Sequence, residues 1–88
     1  MNQMKISELK LTLVKPSESL VGFASCIINE SLYIGSMGVH KRLLGGVRIV
    51  YPRYVVKGRK FNYYHPINNE LSKLIESELV TKYSELSN

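Results

Sequence analysis

Hydrophobic and polar positions alternate along the first two thirds of the chain, and then the period changes. Leu9, Leu11 and Leu13 are separated by Lys10 and Thr12, so Ile6 to Val14 predicts a β-strand with one buried and one wet face. Lys15-Pro16-Ser17-Glu18-Ser19 should end it, because proline cannot donate to a ladder and serines favour turns. Leu20 to Ile28 differs. Leu20, Gly22, Ala24, Cys26 and Ile28 fall on one face, and Val21, Phe23, Ser25 and Ile27 on the other. Both faces are apolar, as in a strand covered on both sides.

After the polar turn Asn29-Glu30-Ser31, Leu32 to Val39 predicts a third strand. Its apolar phase slips between Leu32/Ile34 and Met37/Val39, which places a bulge near Gly35 and Gly38. Gly45-Gly46 marks a turn, and Val47 to Tyr51 alternates again until Pro52. Tyr54 to Lys60 reads as a basic loop or irregular hairpin turning at Gly58, and Phe61 to Tyr64 as a short edge strand. From Asn68 onward Leu71, Leu74, Ile75, Leu79, Tyr83 and Leu86 recur at three and four, opposite Glu76, Ser77 and Lys82. Asn68 or Asn69 can cap this helix, and Glu70 complements its positive end.

The expected architecture is α+β, in one domain spanning 1–88. An antiparallel β-sheet of four to five strands (about 5–64) is followed by one C-terminal α-helix (about 69–86). One helix covers one face. The second apolar face of Leu20 to Ile28 then calls for another copy of the chain, most simply through a two-fold axis. An 88-residue chain buries only about 60% of the surface its unfolded form exposes, which adds to the need for a partner.

Cys26, the only cysteine, sits in an apolar run, where a reduced, buried thiol is expected. No apolar run approaches the roughly 18 residues that span a membrane. The opening Met1-Asn2-Gln3-Met4-Lys5 does not resemble a signal peptide. The expected localisation is cytoplasmic.

Charge sharpens the picture. Twelve basic residues against seven acidic ones give a net charge of +5, and every acid is a glutamate. No acid lies between Glu30 and Glu70, whereas Lys41, Arg42, Arg48, Arg53, Lys57, Arg59 and Lys60 all fall there. Such a block attracts polyanions. Tyr51, Tyr54, Phe61, Tyr63 and Tyr64 interleave with these cations, a mixture suited to bases stacked on rings and phosphates held by charge. Catalytic constellations do not assemble. A serine nucleophile needs a base held by a carboxylate, and no such set is spaced in the sequence. His40 is expected as a loop or phosphate contact and His65, before Pro66, as a structural residue of the turn into the helix. Two histidines 25 positions apart and one buried cysteine do not make a metal site, and Gly35-Ser36-Met37-Gly38 is not a nucleotide loop. No enzyme, cofactor, metal or small-molecule substrate is expected.

The order of these landmarks resembles the SpoVG family (stage V sporulation protein G, the septation regulators) from Met4 to Tyr83. Met4-Lys5-Ile6-Ser7-Glu8-Leu9-Lys10-Leu11 is similar to its opening strand, Ala24-Ser25 to the small pair of its second, and Leu32 to Val39 to its third. Gly46 followed by a strand ending at Pro52 fits the fourth. The most specific match is His65-Pro66-Ile67-Asn68 leading into a helix that closes with Lys82-Tyr83. The resemblance implies a dimeric, β-rich protein without cofactor that binds DNA and RNA in bacterial gene regulation, tied to septation and sporulation. The chain departs from the family after strand four. Pro52-Arg53-Tyr54 replaces a more basic run, and Lys57-Gly58-Arg59 stands where an Asp-Gly turn is customary.

The expected function is thus a non-enzymatic DNA- or RNA-binding regulator. Arg53, Tyr54, Lys57, Arg59 and Lys60 are the expected nucleic-acid contacts, with Lys41 and Arg42 as a second group. The alternative is a protein-interaction module of the division machinery whose basic loop docks an acidic partner.

Overall fold

The structure, a computed structural model, describes residues 4–86, so the expectation about Met1-Asn2-Gln3 lies outside the described residues. Four strands, β1 (Ile6–Ser17), β2 (Leu20–Ile28), β3 (Leu32–Lys41) and β4 (Val47–Val50), form one antiparallel sheet in chain order. β5 (Arg53–Val56) and β6 (Arg59–Asn62) pair only with each other, and α1 (Asn69–Leu86) follows. The α+β architecture with a C-terminal helix is as expected.

β1 does not stop at Val14. It continues through Lys15-Pro16-Ser17 to pair Ser17 with Leu20. β1 is an edge strand, and its register slips between Leu13 and Ser17, so a residue without an N–H is tolerated there. Gly22 lies where β1 and β2 approach closely, since a Cβ at this position would sit 2.5 Å from the Thr12 carbonyl oxygen. The bulge expected in β3 is present. Ala24 pairs with Met37 but Cys26 with Ile34, so two steps along β2 match three along β3. The left-handed residue is Ser36 (φ 58), not a glycine. The inserted residue returns Met37 and Val39 to the buried side that Ile34 occupies.

A second slip, between Leu20 and Gly22, turns Val21 into the core beside Ala24, Cys26 and Ile28. Phe23 remains 46% exposed on the opposite face, where Ser25 and Ile27 are half-buried. β2 therefore has one covered and one open apolar face. On the covered side Ile75 and Leu79 of α1 are fully buried with Met37, Val39 and Val47, while Leu71 and Tyr83 pack at the margin. Asn68 caps the helix, its Oδ1 accepting from the Leu71 N–H at 2.8 Å. Three residues depart from the expected phase. Lys82 is half-buried, Glu76 is half-buried and pairs with Arg42, and Leu86 is exposed.

The fifth strand does not join the main sheet. Pro52 has no N–H to continue the β4 ladder, and Lys57-Gly58, with φ of 50° and 77°, makes a two-residue turn whose twist closes β5 on β6. The basic segment is thus a formed hairpin, not a loop, and Tyr63 and Tyr64 lie beyond its second strand. This arm packs against no other strand and not against the helix. The radius of gyration is 13.4 Å, above the ~12 Å typical of a compact chain of this length.

Candidate nucleic-acid interface

Alternation along the arm sorts its side chains onto two faces. Tyr54 stands opposite Phe61 and Val56 opposite Arg59 on one face, with Arg53 opposite Asn62 and Val55 opposite Lys60 on the other. Tyr54 stacks on Phe61 with ring centroids 5.5 Å apart and planes 23° from parallel, and Tyr63 lies tilted against Tyr54 at 4.8 Å. The Arg59 guanidinium sits 5.7 Å from the Phe61 centroid. A lone two-stranded hairpin is marginal in water, and these ring contacts are its main internal support. All eight strand residues of the arm are exposed.

Among the described residues the ion pairs are Lys5–Glu30 at 2.8 Å and Arg42–Glu76 at 3.4 Å. Neither involves Arg53, Lys57, Arg59 or Lys60, so the arm keeps its positive potential. The fold gathers these four with Tyr54. Lys41 and Arg42 stand apart at the end of β3. Lys41 is exposed, but Arg42 is engaged locally. Its Nε donates to the Val47 carbonyl at 3.0 Å while its guanidinium reaches Glu76, so it braces the β3–β4 loop against the helix.

The other aromatics divide. Tyr51 and Tyr64 meet edge to face at 5.8 Å beneath the start of the helix and belong to the body. The Tyr64 hydroxyl donates to the Gly35 carbonyl at 2.6 Å, and burial pushes its pKa up to about 12. Desolvation by burial raises Tyr51 most and the nearby Ser72 hydroxyl opposes it, yet no group among the described residues meets hydrogen-bond geometry at its buried Oη. The Cys26 thiol is free, buried and raised by desolvation.

His40 lies in β3, not in a loop, and shares a 2.8 Å hydrogen bond between its Nδ1 and Ser19 Oγ. Among the described residues no carboxylate bonds to this ring. His65 is exposed at the approach to the helix, with Nδ1 3.2 Å from the Pro66 carbonyl oxygen. Among the described residues no helix is long and apolar enough to cross a membrane. Two aromatics outside the basic segment are exposed: Phe23, on one of the two apolar faces of β2 that the sequence shows but does not propose as a nucleic-acid contact, and Tyr33, 69% exposed, on β3, which the sequence does not single out. Their signal was a large ring on the face of a strand that an adjacent helix leaves open.

No family model matches the chain. A curated relative named "Putative septation protein SpoVG", from Phytoplasma australiense, is 25% identical over 85 residues, covering 97% of this chain and 88% of that protein. The resemblance to SpoVG is borne out. The matched stretch takes in nearly the whole chain.

Proposed function

We propose that this SpoVG-like chain is a non-enzymatic regulator of bacterial gene expression that binds DNA or RNA in the cytoplasm as a homodimer, with a role in septation or sporulation. One observation carries the nucleic-acid assignment. Among the described residues Arg53, Lys57, Arg59 and Lys60 of the arm make no ion pair, with Arg59 on the face of the exposed Tyr54–Phe61–Tyr63 cluster and Arg53 and Lys60 on the opposite face. Cations without local partners gain from releasing counterions of a phosphate backbone, and exposed rings accept bases without regard to sequence. The name of the relative supports the link to septation.

A second copy is favoured by the β3–β4 loop. Leu43 and Leu44 are fully exposed at its tip, beside a groove of about 610 Å³ lined by Val21, Arg42 and Tyr83 among others. A two-fold axis would let each copy's leucines fill the other's groove, closing the interface on itself. Sedimentation should show twice the 10.0 kDa chain mass, and Leu43→Ser/Leu44→Ser should shift the chain to monomer. A wild-type monomer at all concentrations would remove the dimer from the proposal.

Titration with labelled single strands and duplexes at two salt concentrations tests the binding. Arg59→Ala/Lys60→Ala should weaken all sequences about equally and lower the salt slope by about 1.8 on duplex, two phosphate contacts at ~0.9 each. Absence of DNA and RNA binding even at low salt, with retention of an acidic protein, would instead make the arm a protein-docking element.

A further inference from the structure

The sheet face turned away from α1 is covered by no element among the described residues. Pairing places Phe23 at its centre, opposite Thr12 of β1 on one side and Gly38 of β3 on the other. Phe23 stands as a ridge between two shallow grooves. One, about 320 Å³, runs between Phe23 and Tyr33 over Thr12, Ser25 and Ser36. The other, about 360 Å³, has Phe23 and Leu20 on its walls and Gly38 in its lining, and reaches His40, Val50 and Arg53. A Cβ on Gly38 would lie 3.6 Å from His40 Nε2, so the free edge of the imidazole looks into the space that the glycine leaves. Tyr33 closes the first groove by folding over the bulge, with its hydroxyl 2.8 Å from where a Gly35 Cβ would be.

The charges on this face decide what fits. The register puts Lys10 opposite Ser25 and Arg48 opposite His40, both on the open side, and Arg53 contributes at the edge of the second groove. A second copy docking this face on itself through a two-fold axis would bring a cationic patch against the same patch, and like charges across an interface are costly. A polyanion meets the same charges favourably. Four-stranded sheets with exposed rings on neighbouring inner strands stack the bases of single strands. Here Phe23 and Tyr33 occupy β2 and β3, the two inner strands. Arg53 is also the first residue of the arm, so the second groove and the arm form one continuous surface.

The geometry points to the open sheet face as a single-strand binding platform, with bases stacked on either side of Phe23 and against Tyr33. This rests on the nucleic-acid function proposed for the arm and adds a ligand class to it. Duplex, whose bases are already stacked on each other, reaches only the cations. The single strand lies across β2 and β3 and leaves the sheet past Arg53 towards Lys60. His40 offers its Nε2 edge to a base in the second groove.

Fluorescence and binding of a pyrimidine oligonucleotide of about ten residues test the platform. Phe23→Trp introduces a single tryptophan into a chain that has none. The indole emission of this variant should be quenched on saturation with the single strand and little changed by duplex. Phe23→Ala should weaken single-strand binding about 5- to 150-fold, the loss of one stacked base, with a smaller effect on duplex. Gly38→Val should weaken it as well by filling the second groove, since a Cβ there meets only ordinary contacts. If the oligonucleotide binds the Phe23→Trp variant by anisotropy while the indole emission stays unchanged, the strand is held by the arm alone. The platform then falls and the arm function stands. If wild type binds no nucleic acid, both fall. A Phe23→Ala variant that sediments as monomer where wild type is a dimer would make this face the seam between copies and overturn the platform.

Discussion

The Tyr64 hydroxyl donates to the Gly35 carbonyl at 2.6 Å, tying the approach to α1 to the bulge in β3. A bulge interrupts the ladder locally, and the phenol gives the Gly35 carbonyl a partner. Tyr51, in ring contact with Tyr64, has a buried Oη with Ser72 near it but no well-formed hydrogen bond among the described residues. The two phenols therefore predict opposite outcomes on removal of oxygen. Tyr64→Phe should cost about 1–2 kcal/mol, whereas Tyr51→Phe should be neutral or stabilising. Denaturant midpoints of the two variants check the contrast; equal losses would contradict it.

Tyr64 also sets an alkaline limit. Its folded-state pKa is about 12 against an ordinary 10.0, so the unfolded chain ionises first as pH rises. The contribution is complete below pH 10, falls between about 10 and 12, and is gone above the folded-state value. Stability should therefore decline across that window in wild type and decline less in Tyr64→Phe. Unfolding curves at about pH 9, 10 and 11 report it, and parallel declines in the two proteins would assign the loss to other groups.

Ile75 is fully buried between the helix and the sheet. Ile75→Ala should cost about 2–5 kcal/mol, a large part of a small domain's stability. Glu78→Ala is the proper exposed control, because Glu76 is engaged by Arg42. Indistinguishable melting of the two variants would mean that the helix does not dock through this residue.

Lys57 holds a left-handed conformation (φ 50) in the turn of the arm, where asparagine before glycine is preferred. Lys57→Asn should keep or strengthen the hairpin while removing one cation. Amide exchange at Val56 and Arg59 should be unchanged or slower, and the salt slope on nucleic acid should fall by about 0.7–0.9. Unaltered affinity would show that the turn points away from the ligand.

The four strands of the sheet, the β3 bulge, the Gly45-Gly46 turn and the helix with its Asn68 cap were legible because each has a local signature: alternation, a phase slip, a glycine pair or a change of period. The separate pairing of β5 and β6 was not. Alternation reveals a strand but not its neighbour, and the decisive features were a missing N–H at Pro52 and a positive φ at a lysine. The candidate site was partly legible. Charge and aromatic content singled out Arg53 to Lys60 as candidates, because a segment's composition is visible without knowledge of its contacts. The employment of Arg42 by Val47 and Glu76 depends on a contact 34 positions away, and the exposure of Phe23 and Tyr33 depends on which face the helix takes. Neither can be read from spacing alone.

Pro16 in β1 and the brevity of β4 have a consequence for self-association. β1 and β4 are the two outer strands of the sheet, the places where another molecule could extend the ladder. β1 lacks one amide hydrogen at Pro16 and is bent by two register slips, and β4 offers only four residues. Neither edge is a long, flat template. The protein can therefore leave rings exposed on the flat of its sheet without inviting fibril growth along its margins.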